Sequence, residues 1–328
     1  MAIRYFVIGG FSIDTLLFPG WSEPQTLCGG NAPYAAIGAA IWASRPGDIG
    51  IVGAVGTTYP RSWLGALRAT GIDLTGLEET AGEHRLTFRA TYDTAGRRHV
   101  DIDTDRLAPR GVHAQPAMER LPTAYLLAEA VLCCQYSLEA QRDHARHLHQ
   151  GGMRVFLDPS EEESAGLSEP ALRELVQPVE VFLPSEMEVP AFLSIGRSPP
   201  EMGEVARTLG GYGPRVVAIK LGGRGSVIYD QAGAAVLAVP AYPADVVDPT
   251  GAGDAYAGGF MVSYIETGDP LEAALRATVS ASLVIERAGA LPALQDLALF
   301  RREAHVRLEE LRRLRYDGLS AGSLGATS

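Results

Sequence analysis

Two rhythms of apolar and polar positions alternate along the chain. Tyr5 to Ile8 is a short, unbroken apolar run closed by Gly9-Gly10, the pattern of a strand buried on both faces. From Asn31 the small and apolar positions run through Ala35, Ala36, Ile37, Ala39, Ala40 and Trp42 and predict a helix. Ile49 to Val55 repeats the strand pattern, and Ser62 to Ala69 repeats the helix. The alternation returns further on. Val131 to Cys134, Arg154 to Leu157, Val179 to Leu183 and Val216 to Lys220 read as strands, and Leu138 to His149, Leu172 to Val176 and Glu201 to Leu209 as helices. Strand and helix in regular succession predict a parallel sheet covered on both faces.

Two stretches depart from that rhythm. Leu86 to Tyr92 alternates, Asp93-Thr94-Ala95-Gly96 supplies a turn, and Arg97 to Ile102 alternates again, which is a β-hairpin signal. Such an insertion serves as a lid over a site, as an oligomer contact, or as an extra edge hairpin. Later, Ser226 to Tyr229 and Ala235 to Val239 form a meander, and Asp245 to Val247 predicts a strand before a glycine-rich turn. Two helices follow Asp254, one to about Thr267 and one from Leu271 to about Arg287. An Arg-rich helical pattern spans Leu297 to Arg315, and the small, polar residues from Ser320 to Ser328 predict a disordered tail.

Composition fits this picture. Of 328 residues, 46% are hydrophobic and 20% charged, so a sizeable core needs no disulfide or metal staple. The net charge of −11 disfavours nucleic acid as a partner, although a local site can still take an anionic nucleotide. Cys28, Cys133 and Cys134 make an odd set, read as reduced thiols in a cytoplasmic protein. Cys133-Cys134 lacks Cys or His partners at zinc spacing and reads as core. The apolar run from Ala124 to Cys134 is broken by Glu129, so no membrane span is expected. His144, Arg146 and His147 read as a solvated helix face.

The chemistry concentrates in Asp248-Pro249-Thr250-Gly251-Ala252-Gly253-Asp254. Gly251, Ala252 and Gly253 enter a helix, where small residues let backbone N–H groups approach an anion and the helix dipole assists. A transferring phosphoryl group needs such donors. Asp254, in the first helical turn, can accept a proton from an attacking hydroxyl. Asp248 stands where it could help place a metal ion. A glycine turn with Asp254 as a helix cap would explain four of these residues, but not the whole string. No Gly-x-x-x-x-Gly-Lys-Ser/Thr is present, and Gly9-Gly10 lacks the third glycine of a dinucleotide fingerprint.

Continued by Ala255-Tyr256-Ala257-Gly258-Gly259-Phe260, this string resembles the second signature of the ribokinase-like (PfkB) carbohydrate kinases, with Pro249 where the family usually has Thr. The resemblance covers Ile3 to about Pro292. It implies an α/β ribokinase-like fold: one domain over 1–296, with a parallel central sheet, helices on both faces, and a small β lid from about 11–28 and 86–103. A C-terminal helix over 297–319 and a tail over 320–328 complete the expected organisation. It also implies transfer of the ATP γ-phosphate to an alcohol, with Asp254 as base and Gly251, Ala252 and Gly253 as anion hole.

Further motifs follow in family order. Asp14, after the first strand, would bind substrate hydroxyls, since a carboxylate can accept two hydrogen bonds from a diol; a turn aspartate is the plainer reading. Gly29-Gly30-Asn31 resembles the first signature, in which the glycines let substrate approach; an Asn helix cap is compatible with that. Tyr34 stands where members often carry Asn, and Asn31 is the candidate to replace it. Lys220-Leu221-Gly222-Gly223-Arg224-Gly225 resembles the turn flanking the nucleotide, where Lys220 or Arg224 could meet the ATP phosphates and Gly222 ranks above Arg224; Lys220, Gly222, Gly225 and Ser185 are the nucleotide-binding candidates. Ser185 and Glu188 match an Asn-x-x-Glu motif that organises Mg²⁺ through water, with Ser185 in place of Asn. Asp158-Pro159-Ser160 replaces an Asp-x-Asn-x-Arg motif, and the acidic Glu161-Glu162-Glu163 after it disfavours sugar acids and sugar phosphates. Thr278, Ser282 and Gly289 fall where the family lines an adenine pocket and, in some members, a monovalent-cation (K⁺) site. The expected activity is phosphorylation of a primary hydroxyl of a small sugar or polyol. The alternatives are a nucleoside kinase, with Phe88 or Tyr92 stacking on a base, and a non-catalytic metabolite-binding protein. A homodimer through the lid is compatible with the same pattern.

Overall fold

The computed structural model describes residues 3–84, 86–92, 98–100, 120–134, 137–159, 167–189 and 202–320. The chain opens with β1 (Tyr5–Ile8), β2 (Ser12–Leu17), β3 (Gln25–Gly29) and α1 (Asn31–Trp42). There follow β4 (Ile49–Gly56), α2 (Arg61–Ala69), β5 (Asp73–Thr80), β6 (Thr87–Tyr92) and β7 (Arg98–Val100). Next come β8 (Ala130–Cys133), α3 (Leu138–Gln150), β9 (Arg154–Leu157), α4 (Glu169–Val176), β10 (Val181–Phe182), α5 (Met202–Gly210) and β11 (Val216–Lys220). The chain closes with β12 (Ser226–Asp230), β13 (Ala235–Val239), α6 (Ala252–Thr267), α7 (Pro270–Val284), α8 (Ala290–Gln295) and α9 (Leu297–Ser320).

Among the described residues, β13-β12-β11-β10-β9-β8-β1-β4-β5 form one sheet. It is parallel from β5 to β11, and the last two strands are antiparallel. Successive side chains of a strand face opposite ways. Tyr5 and Val7 of β1 therefore enter a core with α1, α2, α6, α7, α8 and α9, while Phe6 and Ile8 enter a second core with α3, α4 and α5. Burial on both faces is why these strands read as continuous apolar runs.

A second sheet, β3-β2-β6-β7, stands apart. β2 runs antiparallel to β3 and parallel to β6, and β6 pairs antiparallel with β7. One face carries a small aromatic cluster in which the Phe18 and Tyr92 rings stack with centroids 4.5 Å apart. This is the sheet that the hairpin signal pointed to. Its turn at 93–97 and its continuation beyond residue 100 lie outside the described residues, as do Glu161 to Glu163 and the expected tail from 321 onward.

Helices α1 and α6 cross backbone to backbone. A Cβ at Gly38 would fall 2.0 Å from the Ala255 carbonyl oxygen, and one at Gly258 1.9 Å from that of Ala35. Only glycine permits this approach, and it sets the glycine-rich start of α6 beside α1.

Three expectations need correction. Asp245 to Val247 is not a strand: its backbone bonds to the end of α7, with Val247 and Asp248 N–H both donating to the Ile285 carbonyl, and Val246 and Val247 are exposed. His144 is buried, because it shares one helix face with Gln141, Ala145 and Leu148, while Arg146 and His147 are exposed as expected. Asn31 does not cap α1. It is the first helical residue, after Gly30, and no side chain caps that end.

Candidate functional site

The candidate residues gather at the carboxyl ends of the parallel strands, where ligands bind in open α/β sheets. The turn after β1 is fixed by Asn31, whose Oδ1 accepts the Gly10 N–H at 2.7 Å. Asp14 lies on β2, not in a turn, and is 2% exposed. Ser12 Oγ donates to its Oδ1 at 2.5 Å. Gly29 has to be glycine, because a Cβ there would fall 1.8 Å from Asp14 Oδ2. Burial pushes the Asp14 carboxyl up to about 7; the Ser12 bond opposes the shift, and the charges of Asp248 and Asp254 add to it. Asp14 is thus close enough to Asp248 and Asp254 to feel their charge.

That loop begins behind the site. Asp248 is fully buried; its Oδ1 accepts the Thr250 N–H and its Oδ2 the Gly289 N–H, each at 2.9 Å. Both oxygens hold backbone, so the expectation that Asp248 helps place a metal gains no contact here. Gly251 takes a left-handed conformation, φ 80°, and is the residue before α6. A side chain there would also strike the Tyr34 ring, 2.2 Å from the Cβ position. Tyr34 thus fills the space behind the loop, and its buried hydroxyl has no hydrogen-bond partner among the described residues. Ala252, Gly253 and Asp254 form the first turn of α6, and no side chain caps it. The Ala252 N–H donates to the Pro249 carbonyl at 3.3 Å, and the end of the helix that suits an anion is not covered by a capping side chain.

Two more elements close around the loop. From the second sheet, the Tyr92 hydroxyl meets Thr250 Oγ1 at 2.7 Å. From the main sheet, Lys220 ends β11 with its Nζ 2.7 Å from Asp158 Oδ1 and 3.4 Å from the Cβ position of Gly253. Gly222, φ 56°, and Gly225, φ 92°, form the turn that follows, and Arg224 pairs with Glu186. Ser185 bridges to Lys220 and donates its N–H to Glu188 Oε2 at 2.5 Å. Burial pushes the Glu188 carboxyl up to about 8, against the pull of the Lys220 ammonium.

Thr278 and Ser282 are buried on α7. Their hydroxyls donate to the Ala274 and Val279 carbonyls of their own helix, whereas Gly289 reaches the loop through Asp248. Among the described residues, no three His, Cys, Asp or Glu side chains are grouped to hold a metal ion.

Residues 25–297 match the family described as pfkB family carbohydrate kinase. The chain belongs to that family, and it is a kinase. It is 33% identical over 270 residues to a cytidine kinase of Thermococcus kodakarensis, covering 82% of this chain and 91% of that one. Its fold matches Arabidopsis thaliana ribokinase complexed with ribose and ATP, at TM-score 0.68 and 22% identity, over 92% of this chain and 99% of that one. It matches Burkholderia thailandensis nucleoside kinase in complex with inosine at TM-score 0.70 and 18% identity, over 94% and 97% of the two chains. No helix among the described residues is long and apolar enough to cross a membrane.

Within this pfkB kinase, sequence reasoning missed three contacts: Asp158 with Lys220, Tyr92 with Thr250, and Tyr34 with Gly251. Each joins residues far apart in the chain, so no local spacing announces it. The one available signal was Asp158 itself, a carboxylate directly after a buried strand.

Proposed function

We propose that this kinase transfers the γ-phosphate of ATP to a primary hydroxyl of a small sugar or polyol. The supporting observation is the arrangement of two carboxylates about the uncapped start of α6: Asp14, buried on β2, and Asp254, in the first helical turn. Asp14, Gly29, Gly30 and Asn31 form the acceptor side. Asp14 accepts hydrogen bonds from acceptor hydroxyls and so orients the molecule. Asp254 takes the proton of the attacking hydroxyl as its oxygen bonds to the γ-phosphorus; the bond to the β-phosphate oxygen breaks, and ADP leaves with that electron pair. The backbone at Gly251, Ala252 and Gly253 receives the transferring oxygens. Lys220, Ser185, Gly222 and Gly225 border the nucleotide side. Glu188 would help hold an Mg²⁺ ion, which when bound would supply charge neutralisation on the phosphates. The β3-β2-β6-β7 sheet, touching Thr250 through Tyr92, acts as the lid that keeps water from the site.

The second reading, a nucleoside acceptor, is favoured by the relationship to the cytidine kinase. Incubating the full chain with Mg·ATP and a panel of pentoses, hexoses, polyols and nucleosides, with ADP release as readout, tests both. Turnover with a free sugar or polyol supports the first reading and turnover with nucleosides alone the second. Ligand binding without turnover across the panel overturns both.

A further inference from the structure

We propose that Asp158 is a positioning residue for the transfer: it holds the Lys220 ammonium against Gly253, so that a fixed cation stands beside the backbone donors for the phosphoryl group. The proposal rests on the reading that Gly251 to Gly253 receive the γ-phosphate.

Asp158 and Lys220 meet at the carboxyl edge of the sheet, one just past β9 and the other at the end of β11. The pair is deeply buried, with side-chain exposures of 1% and 11%. The Asp158 backbone is held on both sides. Its N–H donates to the Cys133 carbonyl at 3.0 Å, and its carbonyl accepts Gln141 Nε2 at 2.7 Å. The same Nε2 donates to the Cys134 carbonyl at 2.9 Å, so α3 fixes the ends of β8 and β9 together. Asp158 Oδ1 takes Lys220, while Oδ2 is buried with no hydrogen-bond partner. A buried carboxylate left half satisfied is poor structural material, and apolar residues of similar volume commonly serve as well or better for stability. The arrangement makes sense if what it secures is the location of the ammonium.

That location matters because Lys220 interacts electrostatically with three carboxylates: Asp158, Glu188 and Asp254. Its flexible four-carbon stem would let it settle on any of them. Were it to pair with Asp254, the base would be stabilised in its charged form and obstructed. Asp158 prevents this by holding the ammonium at 2.7 Å from its own Oδ1. The absence of a side chain at Gly253 leaves nothing between Nζ and the first turn of α6. During transfer Lys220 keeps its proton and only donates to phosphate oxygens, while the hydroxyl proton goes to Asp254.

The test uses the full chain with Mg·ATP and the best acceptor from the panel. Asp158→Asn and Lys220→Met are each expected to lower kcat by on the order of 10²-fold, the scale of losing one oxyanion donor, with acceptor KM changed by less than about threefold. The double variant should be no slower than Lys220→Met, because Asp158 acts through Lys220. Where Asp158→Asn fails to fold, the double variant, which leaves no lone buried charge, decides by its kcat. Retention of kcat within about threefold in Asp158→Asn or the double variant, or losses that multiply, overturns the proposal. Asp254→Asn, run alongside, separates the two claims: if it lowers kcat by on the order of 10²-fold or more while Lys220→Met stays within about threefold of the parent, this proposal falls and the kinase reading stands.

Discussion

Asp14 shows how a single residue's environment sets its chemistry. The sequence offered an aspartate after a strand, and folding placed it on β2 beneath Gly29, with a carboxyl that titrates near 7. The sign of the linkage follows from that shift. Its folded pKa of about 7 lies above the ordinary 3.8, so the folded state holds a proton that the unfolded state has lost between those values. Asp14 therefore costs stability as pH rises from about 4 to about 7, by on the order of 4 kcal/mol in total. Asp14→Asn should be more stable than the parent at pH 8, with the difference vanishing towards pH 4; urea unfolding across that range checks it. The same variant should lose acceptor binding. In the parent, kcat/KM for the acceptor should rise with pH through about 7, as the carboxylate that accepts hydroxyl bonds forms. Folding also reveals what the string of glycines could not. Asp248 and Tyr34 support the loop from behind, and burial decides their roles.

At the scale of elements, the crossing of α1 and α6 and the contact of β6 with the loop carry the site. Gly258→Ala puts a methyl within 1.9 Å of the Ala35 carbonyl oxygen and must push the helices apart. Overpacking of this kind costs about 1–3 kcal/mol, so thermal unfolding should show a lower midpoint, with kcat falling as the start of α6 moves. The Tyr92–Thr250 bond ties the second sheet to the glycine-rich loop. Tyr92→Phe and Thr250→Val should each cost about 1 kcal/mol, and the double variant about as much as either alone. A denaturation cycle measures that coupling, and strict additivity would deny the contact. Element boundaries were legible where strands are buried on both faces, as in β1, β4 and β11. They were not where sheet neighbours decide. Asp245 to Val247 has the composition of a strand, but its backbone bonds to Ile285. β2 and β5 alternate too raggedly to stand out, and they are strands because β6 and β4 lie beside them.

For the molecule as a whole, the order of strand and helix made a parallel sheet with two helical layers readable, and the hairpin signal made the second sheet readable. The glycine-rich string was the part of the site that sequence showed best, because its donors come from consecutive backbone groups. The rest of the site is assembled from β2, α1, β9, β10 and β11. Its residues converge only when the sheet aligns their carboxyl ends, so their pairings had no signature in the chain. With carboxylates on the proposed acceptor side and Lys220 on the other, the start of α6 is where the proposed function has a hydroxyl positioned and a phosphoryl group received. The central claim is that Asp254 is the base of that transfer. It is tested most directly by comparing Asp254→Asn with the parent in steady-state phosphorylation of the best acceptor, together with calorimetric binding of that acceptor. The account predicts a fall in kcat of about 10²–10⁴-fold with acceptor affinity preserved. Turnover close to that of the parent would contradict it.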